Sequence, residues 1–338
     1  MTTERNAAGS PPNRAIDALL AVLPRGAKVR LPRDRTGNLV LAGQPVSMTW
    51  VGNGSLGEVR DRLDSLSARP DVVAARELSP GARELLAKAG IGWVDETGAA
   101  EIAVGSVIVS RTGRPSARPA KPKGWTPGVI AVAEALLCGT KATVAAMEEA
   151  TGLSAGTCTN ALRFLTEFGL LEASAGRGRG SARRVADRRR LLDAYQVAVG
   201  AQPPSISVEV GVAWSDTAAG LEGAGRRWDK ADRDWAATGA VAASVLAPYL
   251  TTVTTADVYI DARTIAELEA VAADVGFRPI EGGRLTLRPF PTTAVRRLAA
   301  AADGLRVAPW PRVYADLLAT GVRGEEAAEH LLGVIDAR

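Results

Sequence analysis

The sequence TVAAMEEATGLSAGTCTNALRFLTEFGLLE, residues 143–172, decides the fold of the centre of this chain. Thr143 can cap a first short helix, which Gly152 breaks. Ser154 can cap a second helix, which Gly169 ends. Apolar side chains recur at helical spacing on the second helix and define its buried face: Cys158, Ala161, Leu162 and Leu165. The stretch therefore predicts two helices joined by a tight turn, with a strand directly after them.

A glycine-arginine segment follows these helices. Residues 170–174 form a short apolar strand, and residues 182–185 can return as its partner. The glycine-rich residues 175–181 between them are typical of a hairpin tip. Four arginines mark this hairpin: Arg177 and Arg179 at the tip, Arg183 and Arg184 at the base. Such a cluster suits phosphates or a narrow minor groove, whereas a solvated surface loop is the alternative interpretation.

The second helix also has a polar face, opposite the buried one. Asparagine can pair with adenine and arginine with guanine, which gives these roles to Asn160 and Arg163. Gly156 lets the start of the helix approach a DNA backbone closely, and Glu167 either orients Arg163 or faces solvent. The candidate DNA-binding residues are Thr143, Ser154, Gly156, Thr157, Thr159, Asn160, Arg163, Arg177, Arg179, Arg183 and Arg184.

Residues 126–199 resemble the winged helix-turn-helix of MarR-like and related bacterial regulators. In such families the positions of Ser154, Gly156, Thr157, Asn160 and Arg163 hold the contacts of the recognition helix. The resemblance implies double-stranded DNA as the partner, and inverted half-sites make a homodimer the expected assembly. A winged helix used for protein contacts is the alternative.

Composition limits the class of protein. The chain has 338 residues, 46% of them hydrophobic, which is enough for two or three domains with their own cores. The net charge of +4 is modest, so the local clustering of arginines matters more than the pI near 9.3. Two cysteines, Cys138 and Cys158, and the single His330 make a zinc site improbable, and we expect no metal.

Two low-complexity stretches divide the chain. We expect residues 1–12 to be disordered, and the polar start and the lack of a long apolar run predict a cytoplasmic, nucleoid-associated protein without a membrane span. Residues 111–124 form a basic, proline-rich linker, and a second break lies at 200–204. The predicted fold is a mixture of α/β and α+β domains over residues 13–110, 125–199 and 205–338.

The first domain is predicted to be mixed α/β. Its expected helices cover residues 13–23, 56–66 and 80–89, and its expected strands cover residues 28–31, 38–41, 46–51, 71–76, 91–95 and 105–110. The sequence VVAARELSPGARELLAKAGIGWVDETGAAEI, residues 72–102, resembles a restriction-endonuclease-like domain of AbiEi-type antitoxins. Active relatives carry Glu-x-Lys on an upstream strand, where this chain has Thr49 and Val51. The resemblance therefore implies a degenerate nuclease domain.

Other features of this domain leave alternatives open. The remaining carboxylates are expected to be turn caps and solvated charges: Asp34, Asp71, Asp95, Glu96 and Glu101. Trp50 and Trp93 are possible stacking surfaces for single-stranded nucleic acid, although burial in the core is the commoner fate of tryptophan.

The third domain is predicted to be α+β. Strands are expected at residues 206–213 and 257–261, helices at 238–246 and 265–275, an exposed turn at 225–229 and a hairpin at 276–290. This order resembles the C-terminal nucleotidyltransferase-type domain of AbiEi-family antitoxins, and PRVYADLLATGVRGEEAAEHLL, residues 311–332, resembles the tail of many of them. Asp257 and Asp261 fall at even spacing on one strand. An active nucleotidyltransferase would need a Gly-Ser turn and two metal-holding carboxylates on the following strand. Here Gly239 is followed by Ala240 instead of serine, so we expect no catalysis.

The leading hypothesis is a sequence-specific DNA-binding transcriptional regulator whose flanking domains sense a signal or mediate assembly. It predicts no enzyme activity, no catalytic residues and no cofactor, and it admits an effector, either a single-stranded nucleic acid or a small molecule. The alternative is a type IV antitoxin that represses its own operon and counteracts a cognate nucleotidyltransferase toxin. A second alternative is a metal-dependent nuclease.

Overall fold

The structure, a computed structural model, describes residues 11–31, 38–113, 124–173, 183–250 and 252–338. Its internal contacts divide the chain into two compact units. The first comprises residues 1–117 and 321–326, and the second comprises residues 118–320 and 327–338. Helices and strands occur in both units, so the prediction of a multidomain chain that mixes helices and sheets is confirmed.

The first unit is built on a five-stranded sheet. Its elements are α1 (Pro11–Val22), β1 (Val29–Arg30), β2 (Leu39–Leu41), β3 (Gln44–Val46), β4 (Met48–Trp50), α2 (Leu56–Ser65), β5 (Val72–Ala75), α3 (Pro80–Lys88), β6 (Gly92–Asp95), β7 (Ala99–Val104) and β8 (Val107–Thr112). Strands β4, β5 and β6 are parallel, and β7 and β8 extend the sheet antiparallel. Strands β1, β2 and β3 form a separate small sheet. Strand β7 has no counterpart among the predicted elements.

Strand β5 shows why this sheet is covered on both faces. All four of its residues are fully buried, as expected for a central parallel strand. Val72 and Ala74 point into a core shared with α1, whereas Val73 and Ala75 point into the core shared with α2 and α3. The continuous apolar run VVAA therefore fixes a sheet between two layers.

The second unit contains a group of helices followed by a mixed sheet. Its elements are α4 (Pro127–Leu137), α5 (Val144–Thr151), α6 (Ala155–Glu167), β9 (Leu171–Ala173), β10 (Arg183–Val185), α7 (Arg188–Gly200), β11 (Val208–Gly211), α8 (Thr217–Lys230), β12 (Trp235–Thr238), α9 (Gly239–Leu246), β13 (Ala256–Ile260), α10 (Ile265–Asp274), β14 (Arg278–Pro279), β15 (Leu285–Pro289), α11 (Thr293–Leu298), β16 (Ala300–Ala302), β17 (Leu305–Val307), α12 (Trp310–Leu318) and α13 (Val322–Asp336). The first residues of α13, up to 326, are assigned to the first unit. The seven-stranded sheet has the order β14-β11-β15-β13-β12-β17-β16. One continuous cluster of buried side chains runs from α4 through this sheet to α12 and α13.

The prediction of an exposed turn at residues 225–229 is wrong. These residues lie inside α8, and Trp228 is fully buried, with its indole nitrogen donating to the backbone oxygen of Val271. Gly225 is needed for packing and not for a turn, because a Cβ at this position would overlap the ring of Trp235. A glycine that admits a neighbouring tryptophan looks in sequence like a glycine that breaks a helix.

The prediction of a hairpin at residues 276–290 is also wrong. Strands β14 and β15 both pair with β11, which lies between them in the sheet. Strand β11 comes from residues far upstream, so no local turn signal announces this pairing. Among the described residues, no helix combines the length and the apolar character needed to cross a membrane.

Candidate nucleic-acid interface

Helices α5 and α6 are set by local capping. The hydroxyl of Thr143 accepts a hydrogen bond from the backbone nitrogen of Ala146 at 3.3 Å, and Ser154 caps α6 by accepting from Thr157. Gly152 ends α5 with a φ of 70°, a left-handed conformation that favours glycine. These signals place both helices within a residue or two of their predicted bounds.

Helix α6 has one buried face. Cys158, Ala161, Leu162 and Leu165 are the four buried residues of the helix, as predicted. Phe164 beside them packs edge-on against Trp125 and closely against Phe168. The orientation of α6 is therefore fixed by apolar packing, and its other side faces solvent.

The exposed side of α6 carries the predicted contact residues. Ser154, Gly156, Thr157, Thr159, Asn160 and Arg163 are all exposed. A Cβ built on Gly156 would have no heavy atom within 4 Å, so packing in the free protein does not require this glycine. Thr157 is more constrained, because its methyl group lies against Gly128 of α4 and its hydroxyl lies 3.0 Å from that of Ser154.

Asn160 and Arg163 contact each other in the structure. Arg163 donates from Nη2 to Oδ1 of Asn160 at 2.9 Å, and its Nε lies 3.9 Å from Oε1 of Glu167. The expectation that Glu167 orients Arg163 agrees with this geometry. The three polar side chains form a row along about two turns of the helix, with the guanidinium held between an amide and a carboxylate.

The hairpin after α6 pairs in a simple antiparallel register. Arg184 lies opposite Glu172 and forms an ion pair with it. Arg183 is half-buried, and its backbone also pairs with that of Ala142, just before α5, in an isolated antiparallel β-bridge. Glu172 offsets part of the charge that Arg184 contributes. Arg177 and Arg179 lie outside the described residues, so their predicted place at the tip stays a prediction.

The chain matches no protein-family model, no curated protein and no solved structure.

Arg188 and Arg189, at the start of α7, do not join this surface. Arg188 pairs with Asp336 at 3.0 Å and its guanidinium lies 4.9 Å from the ring centroid of Trp310. Arg189 pairs with Asp193 and with Glu329. Arg188 and Arg189 are therefore engaged with helices α7, α12 and α13.

A buried acid connects the helices to the sheet of the same unit. Glu134 lies in the otherwise apolar α4, is 0% exposed, and accepts a hydrogen bond from the hydroxyl of Tyr195 in α7 at 2.8 Å. Thr292, at the cap of α11, donates to its other oxygen at 2.5 Å. Desolvation by burial raises the pKa of Glu134 to about 7, against the opposing effect of Arg312.

Arg312 belongs to a second group of buried polar side chains. It lies 2.9 Å from Asp316 on the next turn of α12 and donates from Nε to the hydroxyl of Tyr259 at 2.8 Å. Asp316 also accepts from the hydroxyls of Tyr259 and Thr238, both at 2.6 Å. Sequence periodicity gives no sign of either group, because their members come from six separate elements.

Thr49, Val51 and Asp95, from which no catalysis is expected, have structural roles in the first unit. Thr49 is buried and accepts from Nε of Arg62 at 2.9 Å, and Val51 is buried in the core. Asp95 is 1% exposed and accepts hydrogen bonds from the backbone nitrogens of Leu78, Thr97 and Ala99, from the Thr97 hydroxyl and from Arg83. The carboxylate of Asp95 therefore holds the turn between β6 and β7.

The two tryptophans of the first unit differ in burial. Trp93 is only 8% exposed and lies under the guanidinium of Arg83. Trp50 is half-buried, with the guanidinium of Arg14 4.5 Å above its ring and Glu96 pairing with that arginine. A stacking role for either ring stays a prediction, and for Trp93 it would require the core to open.

Asp257 and Asp261, which the sequence places at even spacing on one strand, pair with different arginines. Asp257 forms an ion pair with Arg288 at 2.9 Å, and Asp261 lies beyond the end of β13, 3.4 Å from Arg296. Burial raises the pKa of Asp257. Within the part of the chain that the structure describes, no three His, Cys, Asp or Glu side chains are grouped so as to hold a metal ion.

Proposed function

We propose that this chain is a sequence-specific DNA-binding transcriptional regulator and that α4, α5, α6 and the hairpin β9–β10 act as a winged helix-turn-helix. The observation that carries the proposal is the exposed face of α6. It is made of small polar residues, one unpacked glycine and an Asn-Arg pair, on a helix whose opposite face is fixed in the core. Such a face can enter a major groove without steric hindrance from bulky side chains.

The hairpin supplies the second part of the proposed interface. Arg183 and Arg184 lie on β10, the strand that pairs with β9. In the proposal the arginines of the hairpin contact phosphates or the minor groove, while α6 contacts base edges. The flanking domains bind or assemble and do not catalyse, and the protein acts as a homodimer on inverted half-sites.

Genome-wide binding of the native protein, followed by a motif search and footprinting, tests this function. We expect a short inverted repeat at the bound sites. Replacement of Arg177 and Arg179 by alanine should weaken binding to all sequences alike and reduce its salt dependence. Binding that is absent at low salt, on every duplex, would overturn the proposal.

A further inference from the structure

A cleft of about 480 Å³ opens beside the turn that joins α5 to α6. We call it the arginine cleft, and it is lined by Gly152, Asp234, Thr293, Arg296, Arg297 and Arg306. Three guanidinium groups and one carboxylate line the cleft. Asp261, which is not a lining residue, pairs with Arg296 at 3.4 Å, so the three arginines exceed the two carboxylates by one positive charge. Apart from Gly152, all of these residues come from the sheet region of the second unit, outside the predicted winged helix.

Arg297 of α11 attaches the cleft to the helix turn. Its Nε donates to the backbone oxygen of Glu149 in α5 at 3.3 Å. A Cβ on Gly152 would lie 3.1 Å from both Cδ and Nη1 of Arg297, so the side chain lies directly against the turn. Arg297 is exposed, and among the described residues no carboxylate pairs with its guanidinium.

Asp234 orients the other two arginines. Its carboxylate accepts from Nε of Arg296 at 2.6 Å and lies 3.3 Å from Nη1 of Arg306. Arg306 also donates to the backbone oxygen of Arg296 at 3.3 Å. Asp234 therefore orients two guanidinium groups, and Asp261 lies 3.4 Å from Nη1 of Arg296. Two carboxylates thus offset the charges of Arg296 and Arg306, and the excess positive charge lies on Arg297. The cleft is ordered before any anion enters it, which lowers the entropic cost of binding one.

The location of the cleft favours nucleic acid as the source of that anion. Gly152 lies two residues before Ser154, the residue that caps α6. A duplex whose major groove accepts α6 must carry its sugar-phosphate backbone past this end of the helix. Guanidinium groups held in fixed positions suit phosphate oxygens, since each presents several N–H donors in one plane.

We propose that the arginine cleft binds the DNA backbone at a phosphate outside the base pairs that α6 contacts. The inference rests on the proposed function, and it extends the DNA-binding surface to the C-terminal sheet region. Arg297 contacts the phosphate directly, and Arg296 and Arg306 offer further N–H donors from the wall of the cleft. The footprint on DNA is accordingly longer than the winged helix alone would give.

Binding to a random-sequence duplex of about 30 base pairs tests the proposal, because phosphate contacts do not depend on base sequence. Fluorescence anisotropy at several salt concentrations gives the affinity and the salt slope of the full-length protein. For each lost contact, Arg297→Ala and Arg306→Ala should reduce the salt slope by about 0.9. When the salt is raised from roughly 50 to 200 mM, the factor by which each variant loses affinity should then be about 3.5-fold smaller than the factor for the wild type. Arg226→Ala is the matched control, since Arg226 pairs with Glu222 on its own helix and does not line the cleft.

Two further variants separate charge from folding. Arg297→Lys keeps the positive charge and should retain most of the salt slope, whereas Arg297→Glu should weaken binding more than Arg297→Ala does. Thermal melting checks that each variant is folded. Ethylation interference on a bound operator should show one phosphate contact fewer with Arg297→Ala than with the wild type.

The outcomes distinguish this inference from the proposed function. If the wild type binds the duplex and Arg297→Ala and Arg306→Ala match Arg226→Ala in affinity and slope, the cleft binds no DNA and the inference is wrong, while the proposed function stands. An acidic protein partner for the cleft would give that same result. If the wild type binds no duplex at low salt, the proposed function fails and this inference fails with it.

Discussion

Thr292 donates its hydroxyl hydrogen to Oε2 of Glu134 over 2.5 Å, and this contact joins the cap of α11 to the middle of α4. The acid is fully buried, and its second oxygen is bound by Tyr195. Removal of water favours the neutral form of a carboxyl group, which is why the pKa of Glu134 rises from 4.5 to about 7. The buried acid thus couples the stability of this unit to pH.

Glu134→Gln should remove that pH dependence. Between pH 4.5 and about 7 the folded protein binds more protons at this site than the unfolded chain, so stability falls as pH rises through this window. The wild type should lose on the order of 3 kcal/mol more free energy of unfolding than Glu134→Gln over that range. Urea unfolding at several pH values measures the difference. Glu222→Gln, at the surface of α8, is the control, and parallel profiles for the wild type and Glu134→Gln would contradict the assignment.

Asn160→Ala should change the base preference at more than one position. Asn160 is itself a candidate contact to adenine, and it also holds the guanidinium of Arg163 at 2.9 Å. Loss of each base contact should cost about 1–3 kcal/mol of discrimination. Selection of binding sites from a random library, with Asn160→Ala, Arg163→Ala and the double variant, measures this. Strictly additive effects of the two single variants would show that the pair does not act together.

Gly156→Ala should stabilise the protein and weaken DNA binding. The position is helical, exposed and open, so alanine should add about 0.5–1 kcal/mol to the free energy of unfolding. The added methyl group would stand between the start of α6 and the DNA. Gly223→Ala in α8 is the matched control, because it is equally open and should stabilise without affecting binding. If Gly156→Ala binds DNA with the same affinity as the wild type, the DNA does not contact the start of α6.

Asp95→Ala should destabilise the first unit. The buried carboxylate accepts hydrogen bonds from three backbone nitrogens, a hydroxyl and Arg83, and its removal leaves these donors unsatisfied. We expect a loss of about 3 kcal/mol or more in the free energy of unfolding, measured by urea unfolding.

Incubation of supercoiled DNA with the wild type and magnesium or manganese tests the nuclease alternative. Cleavage by the wild type that a folded Asp95→Asn variant lacks would assign the residue to catalysis.

Local signals account for the parts of the fold that were predictable. Thr143, Gly152 and Ser154 act on neighbouring backbone atoms, so the bounds of α5 and α6 follow from the sequence. The place of Gly225 depends instead on the ring of Trp235, and the pairing of β14 and β15 depends on β11 between them. Such contacts join distant parts of the chain and leave no pattern within a short window.

The candidate site also has one part that the sequence predicts and one part that it does not. The polar face of α6 follows from helical periodicity, because the buried face is fixed by four apolar residues. The contact of Arg297 with Gly152 joins residues far apart in sequence, and so does the contact of Thr292 with Glu134. In the sequence Arg297 is one arginine of a short helix, and Glu134 is one acid in an apolar segment. Only their partners give them a role.

The buried position of Glu134 also limits how this protein can be divided or recombined. Helix α4 carries an acid with two hydrogen-bond donors, and one of them, Thr292, lies 158 residues further along the chain. A fragment that ends at residue 200 would keep α5 and α6 but expose this acid and the apolar side chains that share its core with the sheet. We therefore expect residues 125–199 to be unsuitable as a transplantable DNA-binding cassette, and gene fusions that preserve function to keep the whole second unit together.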